Sequence, residues 1–488
     1  MAYANGTGNG KATNIDKFDI VHKIYNFINK FNFEKAATYA YFKYKNYKRL
    51  EYYEYLKQRD LLDSDQIKEI QWIKLKELVA HCYYNVPYYT RLFKEIDFHP
   101  EDLKDISDFC KIPKLTKQNI IESKYDLIYP KYKPEDLFWE STSGSTGEPL
   151  KFARSFTDQE YAFALRYRAN AWCDWEPWHR AVWFVSDTRH IAALEKLRGR
   201  MALWMMRRLL IDTKNISKQN MFNWVKQIKH FKPVQVYGYS SLLGDFSEFL
   251  LENNIRITGV KGVFSTAEPL RKRLAMSQAF NAPVYDQYGC SEIPCIAHEC
   301  KHGNMHINCD EIFTEFEDIP GSPDIKNIIC SPLYMKAMPL LRYEVGDTAL
   351  PVKKQCDCGL PYPVIEFKVG RVSDNFVNAA GKIISGVTLA WYIVDAVEGV
   401  HQYQVIQNSL TDITVKLVSE EKYIDNNERS IKKLLYELLD TTDLNIKFEY
   451  LDRINYEKNG KFRPIISKVT NNSNDRNNNQ NITTQIVN

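Results

Sequence analysis

The sequence predicts an α/β protein: a large N-terminal α/β domain with a β-rich subdomain, followed by a small α+β C-terminal domain. Beyond Phe138, short β-rich segments alternate with helical patterns, which is typical of a parallel sheet covered by helices. From Glu311 to Pro351 the pattern changes to short strands joined by turns. After Arg371 a further set of strands and helices begins, and it predicts a separate unit of about one hundred residues.

The first part of the chain is predicted to be a helical layer. Residues 16–95 are rich in Tyr, Phe and Lys, as in the segment 39–47. We expect these helices to pack their aromatic side on the main domain and to expose their lysines. The alternative is a face that binds a partner or a membrane surface. Residues 1–15 and 471–488 are polar with little to bury, so we expect both segments to be disordered.

The main sheet is predicted from compact apolar or β-branched runs with longer helical patterns between them. The predicted strands lie at 181–185, 234–237, 259–264 and 283–285. The predicted helices lie at 218–230, 242–253 and 271–280. We expect the N-terminal domain to span residues 16–373 and its β-rich subdomain to span about 296–370.

The C-terminal domain is predicted to span residues 374–470. Its predicted elements are a hairpin at 375–384, a helix at 387–397, strands at 403–407 and 411–418, a helix at 430–439 and a strand at 447–451. This mixture of elements predicts a small α+β fold with its own core.

The composition excludes several functional classes. Of the 488 residues, 44% are hydrophobic and 26% are charged, which is ordinary for a soluble globular protein. No run approaches 18 apolar residues and no secretory signal begins the chain, so we expect a cytoplasmic protein without a membrane span. A net charge of +4 without a concentrated basic stripe argues against nucleic acid as a partner.

A segment rich in hydroxyl side chains and glycine predicts an anion-binding loop. It consists of Ser141, Thr142, Ser143, Gly144, Ser145, Thr146 and Gly147 and is followed by Glu148-Pro149. Glycine lets backbone amides approach a ligand closely, and hydroxyl groups add donors, so the loop is suited to a phosphate. No Gly-Lys-Ser/Thr follows, which excludes a P-loop. The alternative is a flexible Ser/Gly turn.

The cysteines are unevenly distributed along the chain. Ten are present, and in a reducing compartment a cluster of them points to metal binding or catalysis rather than to disulfides. The residues predicted to form a closed, structural zinc site are Cys300, His306, Cys356 and Cys358. Three thiolates and one imidazole make the tetrahedral site that zinc favours. His302 is the alternative fourth ligand, and the alternative to zinc is a set of ordinary buried thiols.

Further motifs follow the Ser/Gly loop in a fixed order. They are Ser265–Leu270, Tyr288–Glu292, Arg342–Asp347, Gly370–Asp374 and Asn459–Arg463. Together with the loop, they resemble the motifs of the adenylate-forming superfamily of acyl-CoA ligases, luciferases and peptide-synthetase adenylation domains. The segments 266–270, 286–289 and 298–300 are typical of its phenylacetate-CoA ligase branch, especially the capsular polysaccharide (CapK-type) members. The resemblance covers about residues 75–468.

The resemblance implies that ATP binds at these motifs. The residues implied to contact the nucleotide are Ser141, Thr142, Ser143, Gly144, Ser145, Thr146, Gly147, Ala267, Glu268, Pro269, Asp286, Gln287, Tyr288, Gly289, Ser291, Asp347 and Arg371. The loop would hold the triphosphate, and the ring of Tyr288 would stack on adenine. Backbone groups of the turn 267–269 would line the base. Asp347 would accept hydrogen bonds from the ribose hydroxyls.

The resemblance also implies the catalytic groups. Glu292 is a hard oxygen ligand of the kind that Mg²⁺ prefers. Lys461, assisted by Arg371, would stabilise the charge that develops as pyrophosphate departs. The C-terminal domain would act as a mobile lid that rotates about a hinge at Asp374 or a neighbouring residue.

The implied reaction has two steps: a carboxylic acid attacks MgATP to give an acyl-adenylate, and the acyl group then passes to a thiol such as coenzyme A. The alternatives are transfer to an amine of an amino sugar or amino acid, and a catalytically silent binding subunit. The residues predicted to line the acid pocket are Tyr237, Tyr239, Phe264 and Cys290, although Tyr239 has a core position as its alternative. Such a wall suits an aryl or alkyl acid. The oligomeric state, monomer or homodimer, stays open.

Overall fold

The computed structural model describes most of the chain outside the termini and several loops. The described residues are 33–141, 150–185, 197–319, 322–352, 355–367, 376–380, 383–384, 386–454, 464–469 and 484–485. The Ser/Gly loop beyond Ser141, the residues Arg371 and Asp374, and the loop that contains Lys461 lie outside this part of the chain. The same holds for residues 1–15 and for most of the tail.

Four helices form the predicted N-terminal layer. They are α1 (Phe33–Tyr44), α2 (Arg49–Arg59), α3 (Ser64–Asn85) and α4 (Pro87–Glu95). The side chain of Asp63 accepts hydrogen bonds from the backbone N–H groups of Asp65 and Gln66, which caps α3. Tyr53 and Phe93 are fully buried in the core that the layer shares with the main domain. These two aromatic side chains pack inward, whereas Tyr44, Tyr55 and Tyr84 are exposed.

A hairpin that the sequence did not predict surrounds the Ser/Gly loop. It follows the short helices α5 (Ile106–Phe109) and α6 (Lys117–Glu122), and it consists of β1 (Phe138–Ser141) and β2 (Lys151–Arg154), with α7 (Phe156–Ala171) next. The two strands pair antiparallel with Ser141 opposite Lys151. Because the last residue of β1 pairs with the first of β2, the two ends of the Ser/Gly loop lie side by side.

The predicted parallel α/β sheet is present. Its elements are β3 (Ala181–Val185), α8 (Leu197–Met205), β4 (Arg208–Asp212), α9 (Lys218–Phe231), β5 (Gln235–Tyr239), α10 (Ser240–Glu252), β6 (Gly262–Thr266), α11 (Arg273–Phe280) and β7 (Val284–Tyr288). The strands pair parallel in the order β4-β3-β5-β6-β7. Val236 and Val263 on one face pack with Phe246 and Ile228 of the covering helices, so the strands alternate between two cores.

The predicted β-rich subdomain continues the same sheet. Its strands are β8 (Ala297–Glu299), β9 (Met305–Ile307), β10 (Ile312–Ile319), β11 (Ser322–Pro332), β12 (Tyr343–Val352) and β13 (Val364–Glu366). β7 pairs antiparallel with β8, and the order then runs β8-β9-β13-β12-β11-β10, with the short β20 (Thr484–Gln485) at the edge. Among the described residues, this main sheet contains 12 strands, and its pairing changes from parallel to antiparallel after β7.

The C-terminal domain has the predicted α+β character. Its elements are β14 (Phe376–Val377), β15 (Ile383–Ile384), α12 (Gly386–Ala396), β16 (Val400–Gln407), β17 (Asp412–Ser419), α13 (Ile424–Leu439), β18 (Asn445–Tyr450) and β19 (Ile465–Ser467). The sheet order is β18-β17-β16-β19, and β19, which the sequence did not predict, pairs parallel with β16. Leu389, Val405, Ile431 and Leu435 form a separate core.

Across the described residues, no helix has the length and apolar character needed to cross a membrane.

Candidate active site and cysteine cluster

The motif residues collect at one edge of the parallel sheet. Tyr239, Thr266 and Tyr288 are the last residues of β5, β6 and β7, so their strands end at the same edge. In open α/β sheets, ligands bind outside the carboxyl ends of the strands. The predicted motifs therefore lie where such a fold places its ligand.

A tight turn follows β7 and requires glycine. A Cβ atom on Gly289 would lie 2.6 Å from the backbone nitrogen of Cys295 and 3.0 Å from the carbonyl oxygen of Ile293. The backbone N–H of Cys290 donates to the Ile293 carbonyl at 3.0 Å, and the Ile293 N–H donates to the Cys290 sulfur at 3.3 Å. Any side chain on Gly289 would collide with backbone, so the turn depends on this residue.

The turn buries Glu292 and brings its main chain into contact with Arg154 of the β1–β2 hairpin. Glu292 is 4% exposed and accepts a hydrogen bond from the Tyr343 hydroxyl at 2.7 Å. Arg154, the last residue of β2, donates to the main-chain carbonyl of Glu292 at 3.0 Å and pairs with Glu140 of β1 at 3.2 Å. Arg154 also donates to the carbonyl of Ser291. Sequence analysis did not single out Arg154 or Tyr343, although Arg154 closely follows the loop.

The carboxylate of Glu292 forms no ion pair with any residue that the structure describes. A buried carboxylate is stable only when it is hydrogen-bonded, paired with a cation, or bound to a metal. The Tyr343 hydroxyl supplies one hydrogen bond but no charge. The predicted Mg²⁺ ligand therefore has no ion-pair partner among the residues that the structure describes.

Tyr288 and Asp347 meet at the same edge. The Tyr288 hydroxyl donates to Oδ2 of Asp347 at 3.1 Å, and Asp347 is 7% exposed on β12. The ring of Phe367 lies 4.2 Å from that of Tyr288, centroid to centroid. Gly346 has φ of +80° and lies within β12 where its register with β11 shifts, just before Asp347. The predicted adenine and ribose contacts are thus brought together from segments about sixty residues apart in sequence.

Two of the predicted nucleotide residues direct their side chains into the protein. Glu268 accepts a hydrogen bond from the backbone N–H of Ser241 at 2.8 Å and so stabilises the start of α10. Gln287 is 6% exposed, and its amide donates to Asn170 at 2.6 Å. A nucleotide contact by Gln287 would have to use its main chain. For Glu268, the sequence analysis already predicted that the backbone of the turn 267–269, and not the side chain, would contact the base.

The predicted pocket residues differ in exposure. Phe264 is fully buried, with its ring 5.7 Å from His298, so it belongs to the core. Tyr239 is 48% exposed, which rules out the core position considered for it. Tyr237 is half-buried, with its ring 5.3 Å from that of Trp183. Burial and the nearby Glu292 raise the pKa of Cys290 well above the ordinary value for a thiol, so Cys290 is unsuited to act as a nucleophile.

The predicted metal ligands come together as a group of four. The ligand atoms of Cys300, His306, Cys356 and Cys358 all lie within 4.8 Å of one another, and His302 is not part of this group. The sulfurs of Cys300 and Cys356 are 3.7 Å apart, and Nε2 of His306 is 3.3 Å from the Cys358 sulfur. A tetrahedron with Zn–S bonds of about 2.3 Å has edges of about 3.8 Å, close to these separations.

Hydrogen bonds around the cluster orient its ligands. Nδ1 of His306 lies 2.8 Å from the carbonyl oxygen of Tyr362, to which it donates in the tautomer that leaves Nε2 free. The Asn304 amide donates to the Cys356 sulfur at 3.1 Å. The loop between β12 and β13 supplies Cys356 and Cys358, and the β8–β9 hairpin supplies the other two. A metal here would cross-link these two loops.

A surface cleft lies at the opposite edge of the sheet. Its volume is about 770 Å³, and it is lined in part by Val260, Lys261 and Pro283, which precede β6 and β7. Because these residues lie at the amino ends of the strands, the cleft is separate from the motif residues.

Comparison with known proteins agrees with this geometry. Residues 376–468 match the CapK C-terminal domain. The chain is 26% identical to Protein CapK of Staphylococcus aureus over 432 residues, which cover 86% of this chain and 92% of the relative. It is 24% identical to the phenylacetate-coenzyme A ligase of Thermus thermophilus over 396 residues, 76% of this chain and 85% of the relative. These matches confirm the resemblance predicted from the motifs.

This chain is a relative of CapK and of the phenylacetate-coenzyme A ligases. Among solved structures, it is similar to 2-hydroxyisobutyryl-CoA ligase in the postadenylation state, with a TM-score of 0.62. The two are 17% identical, and the match covers 84% of this chain and 91% of that one, which establishes the adenylate-forming ligase fold.

Asp286 provides a pH-dependent test of the packing beside this site. Burial, together with the Glu299 carboxylate, raises the pKa of Asp286 to about 7, whereas an unfolded Asp ionises near 3.9. The contribution of this carboxyl to stability is therefore complete below about pH 4 and is lost as the pH rises through 7. We expect the stability advantage of Asp286→Asn over wild type to grow by about 2 kcal/mol between pH 5 and pH 8.5, measured by chemical unfolding.

The matched control is Asp324→Asn, at an exposed position. An Asp286→Asn effect that is equal at both pH values would contradict the assignment of a raised pKa.

Proposed function

We propose that this protein activates a carboxylic acid with MgATP, releases pyrophosphate, and transfers the acyl group of the resulting adenylate to a thiol such as coenzyme A. One observation carries the proposal: Tyr288, Asp347 and Glu292 meet at the carboxyl edge of the sheet, beside the hairpin that holds the Ser/Gly loop. The phenylacetate-coenzyme A ligases among its relatives are named for this type of reaction.

The nucleotide half of the site follows from Tyr288 and Asp347. A carboxylate that already accepts one phenol hydrogen bond has lone pairs left for the two ribose hydroxyls. The aromatic ring beside it offers a surface on which a base can stack. These groups favour a nucleoside over an inorganic phosphate as the ligand.

The phosphate half follows from Glu292 and the Ser/Gly loop. Arg154 connects the hairpin of the loop to the turn that carries Glu292, so a metal on Glu292 would lie beside phosphates held by the loop. A divalent ion between them would neutralise charge on the leaving pyrophosphate. Lys461 and Arg371 would supply the remaining positive charge, as the resemblance to the family implies.

Amide formation is the second candidate. In the resembled family, the C-terminal domain turns toward the acceptor in the second step, and here residues 376–468 match the CapK C-terminal domain. The resemblance to CapK-type members implies an amine of an amino sugar or amino acid as the alternative acceptor to coenzyme A.

Adenylation itself is tested with Lys461. A panel of carboxylic acids is offered with MgATP and hydroxylamine, and pyrophosphate release is measured. We expect Lys461→Ala to lower the rate by about 100-fold to 1,000-fold, as expected for loss of one transition-state charge, while ATP binding persists. Lys458→Ala changes a lysine of the same loop and should leave the rate unchanged. Equal rates for both variants would contradict the role of Lys461.

A wild-type protein that releases no pyrophosphate with any acid would instead favour the catalytically silent alternative.

The acceptor is tested with the acids that are adenylated. Each is incubated with MgATP and either coenzyme A or an equimolar set of amino sugars and amino acids, and the ligated product is measured by mass. We expect thioester at a rate at least tenfold above that of any amide. A dominant amide product would assign the protein to the second candidate function.

We also propose that the four-residue cluster binds one structural zinc ion. Its donor set, its separations and the carbonyl that orients His306 fit tetrahedral zinc with every position occupied by protein. With no open position, the metal would stabilise the β-rich subdomain and would not take part in the reaction.

Metal analysis tests the zinc site. We expect about one equivalent of zinc per chain, at least tenfold less in Cys356→Ser, and a lower melting temperature for that variant because the two loops lose their cross-link. The control is Cys110→Ser, outside the cluster, which should keep the metal. A folded wild-type protein that contains no metal would contradict this proposal.

A further inference from the structure

Arg166 lies on α7 beside the predicted acid pocket and lacks a charged partner. Its guanidinium carbon is 5.7 Å from the centroid of the Tyr237 ring, which forms a cation–π contact. Within the described ranges, no carboxylate lies within ion-pair distance of Arg166, and its guanidinium has no hydrogen-bond acceptor. Arg166 is partly exposed to solvent, so its guanidinium is open to an anionic ligand.

Five buried arginines of this protein are each paired with a carboxylate. The pairs are Arg49–Glu160, Arg59–Glu311, Arg154–Glu140, Arg168–Asp310 and Arg342–Glu315. Arg168 is two residues from Arg166 on the same helix and makes paired hydrogen bonds with Asp310, at 2.6 and 2.9 Å. Arg166 therefore differs from Arg168 on the same helix, because no carboxylate among the described residues pairs with it.

The groups around Arg166 leave its charge unneutralised. Interaction with Tyr237, Cys295 and Tyr334 raises the pKa of Arg166, so it stays protonated. Burial raises the pKa of Cys295 to about 11 and that of Tyr334 above its ordinary value, so both groups are neutral at pH 7. The guanidinium therefore faces neutral groups.

The position of Arg166 relates its guanidinium to the acid. Tyr237 lies near the carboxyl end of β5, two residues before the exposed Tyr239. Cys295 ends the turn that begins at Gly289 and carries Glu292. Arg166 thus lies beside β5, which carries two of the residues predicted to line the acid pocket.

We propose that Arg166 binds a second anionic group on the acid, such as a carboxylate, so that the substrate class is acids that carry an additional negative charge. The inference rests on the proposed function, because it assumes that an acid is activated here. It replaces the aryl or alkyl acid expected from the aromatic side chains alone. A fork of two N–H donors holds a carboxylate in a fixed orientation, which would position the reacting carboxylate at the other end of the molecule.

The test compares each diacid with its own monoamide, which keeps the shape and removes one charge. Suitable pairs are succinate and succinamate, glutarate and glutaramate, and phthalate and phthalamate, with phosphono and sulfo acids of the same length as further arms. We expect wild type to prefer the charged member by about 100-fold in kcat/KM for pyrophosphate release. Arg166→Gln should abolish this preference, and Arg166→Lys should keep part of it.

Controls separate specificity from folding. Arg256→Gln removes an exposed arginine and should leave the preference intact. Arg166→Gln should leave turnover of the monoamides within about threefold of wild type, because a recognition role affects only the charged acids. Equal use of diacids and monoamides by wild type would overturn the inference, as would an equal loss for all acids in Arg166→Gln.

A binding measurement decides the inference even when no acid is adenylated. Melting temperatures of the full chain are recorded with each diacid and each monoamide in the absence of ATP. A rise with diacids alone that is lost in Arg166→Gln supports the inference. Equal rises for both members, or no rise at millimolar concentrations, would overturn it. Absence of pyrophosphate release with every acid counts only against the proposed function.

Discussion

The chain reverses direction between β7 and β8, and the turn at this point determines where the groups of the candidate site lie. Parallel pairing ends at β7, since β8 returns antiparallel beside it. The turn is so tight that a Cβ on Gly289 would be 2.6 Å from the nitrogen of Cys295. It keeps Tyr288 at the end of its strand and brings Glu292 back under the sheet edge. A looser turn would separate Glu292 from Tyr343, and thereby from β12 and Asp347.

A buried network of charges connects the helical layer to the β-rich subdomain. Arg168 of α7 pairs with Asp310 at 2.6 Å, and the Tyr362 hydroxyl donates to Asp60 at 2.8 Å. Burial raises the pKa of Asp60 to about 6 even though Arg168 opposes this shift. Breaking one partner of such a network typically costs about 3–5 kcal/mol, because the other charge is left buried. The carbonyl of Tyr362 also accepts the His306 contact, so the same residue orients the cysteine cluster.

Elements with strong local patterns were predicted well from the sequence. The strand at 181–185 and the start of the helix at Lys218 agree with the structure. The β1–β2 hairpin was missed because its strands are four residues long and carry charges. β19 was missed because three residues form a strand only through pairing with β16. Short strands are decided by tertiary contacts, which the local sequence does not encode.

In the candidate site, too, some residues could be predicted from local motifs and others depend on tertiary contacts. Motif order identified Tyr288, Glu292 and Asp347, since each lies in a recognisable segment. Arg154 was not predicted, because its role depends on a carbonyl 138 residues away in the chain. The choice of His306 over His302 depends on the pairing of β9 with β13, in which His306 lies opposite Val364. Pairings of this kind become visible only in the folded chain.

The electrostatics of the pocket change how its aromatic residues should be interpreted. Phe264 is enclosed in the core and Tyr239 is half exposed, so neither forms an apolar wall. Tyr237 remains, but its ring lies against the guanidinium of Arg166, and a cation at a pocket wall selects by charge more than by apolar area. Glu292, by contrast, forms no ion pair with any residue that the structure describes. In the proposed site, a negative group at one end and a positive group at the other would separate metal and phosphate chemistry from recognition of the acid.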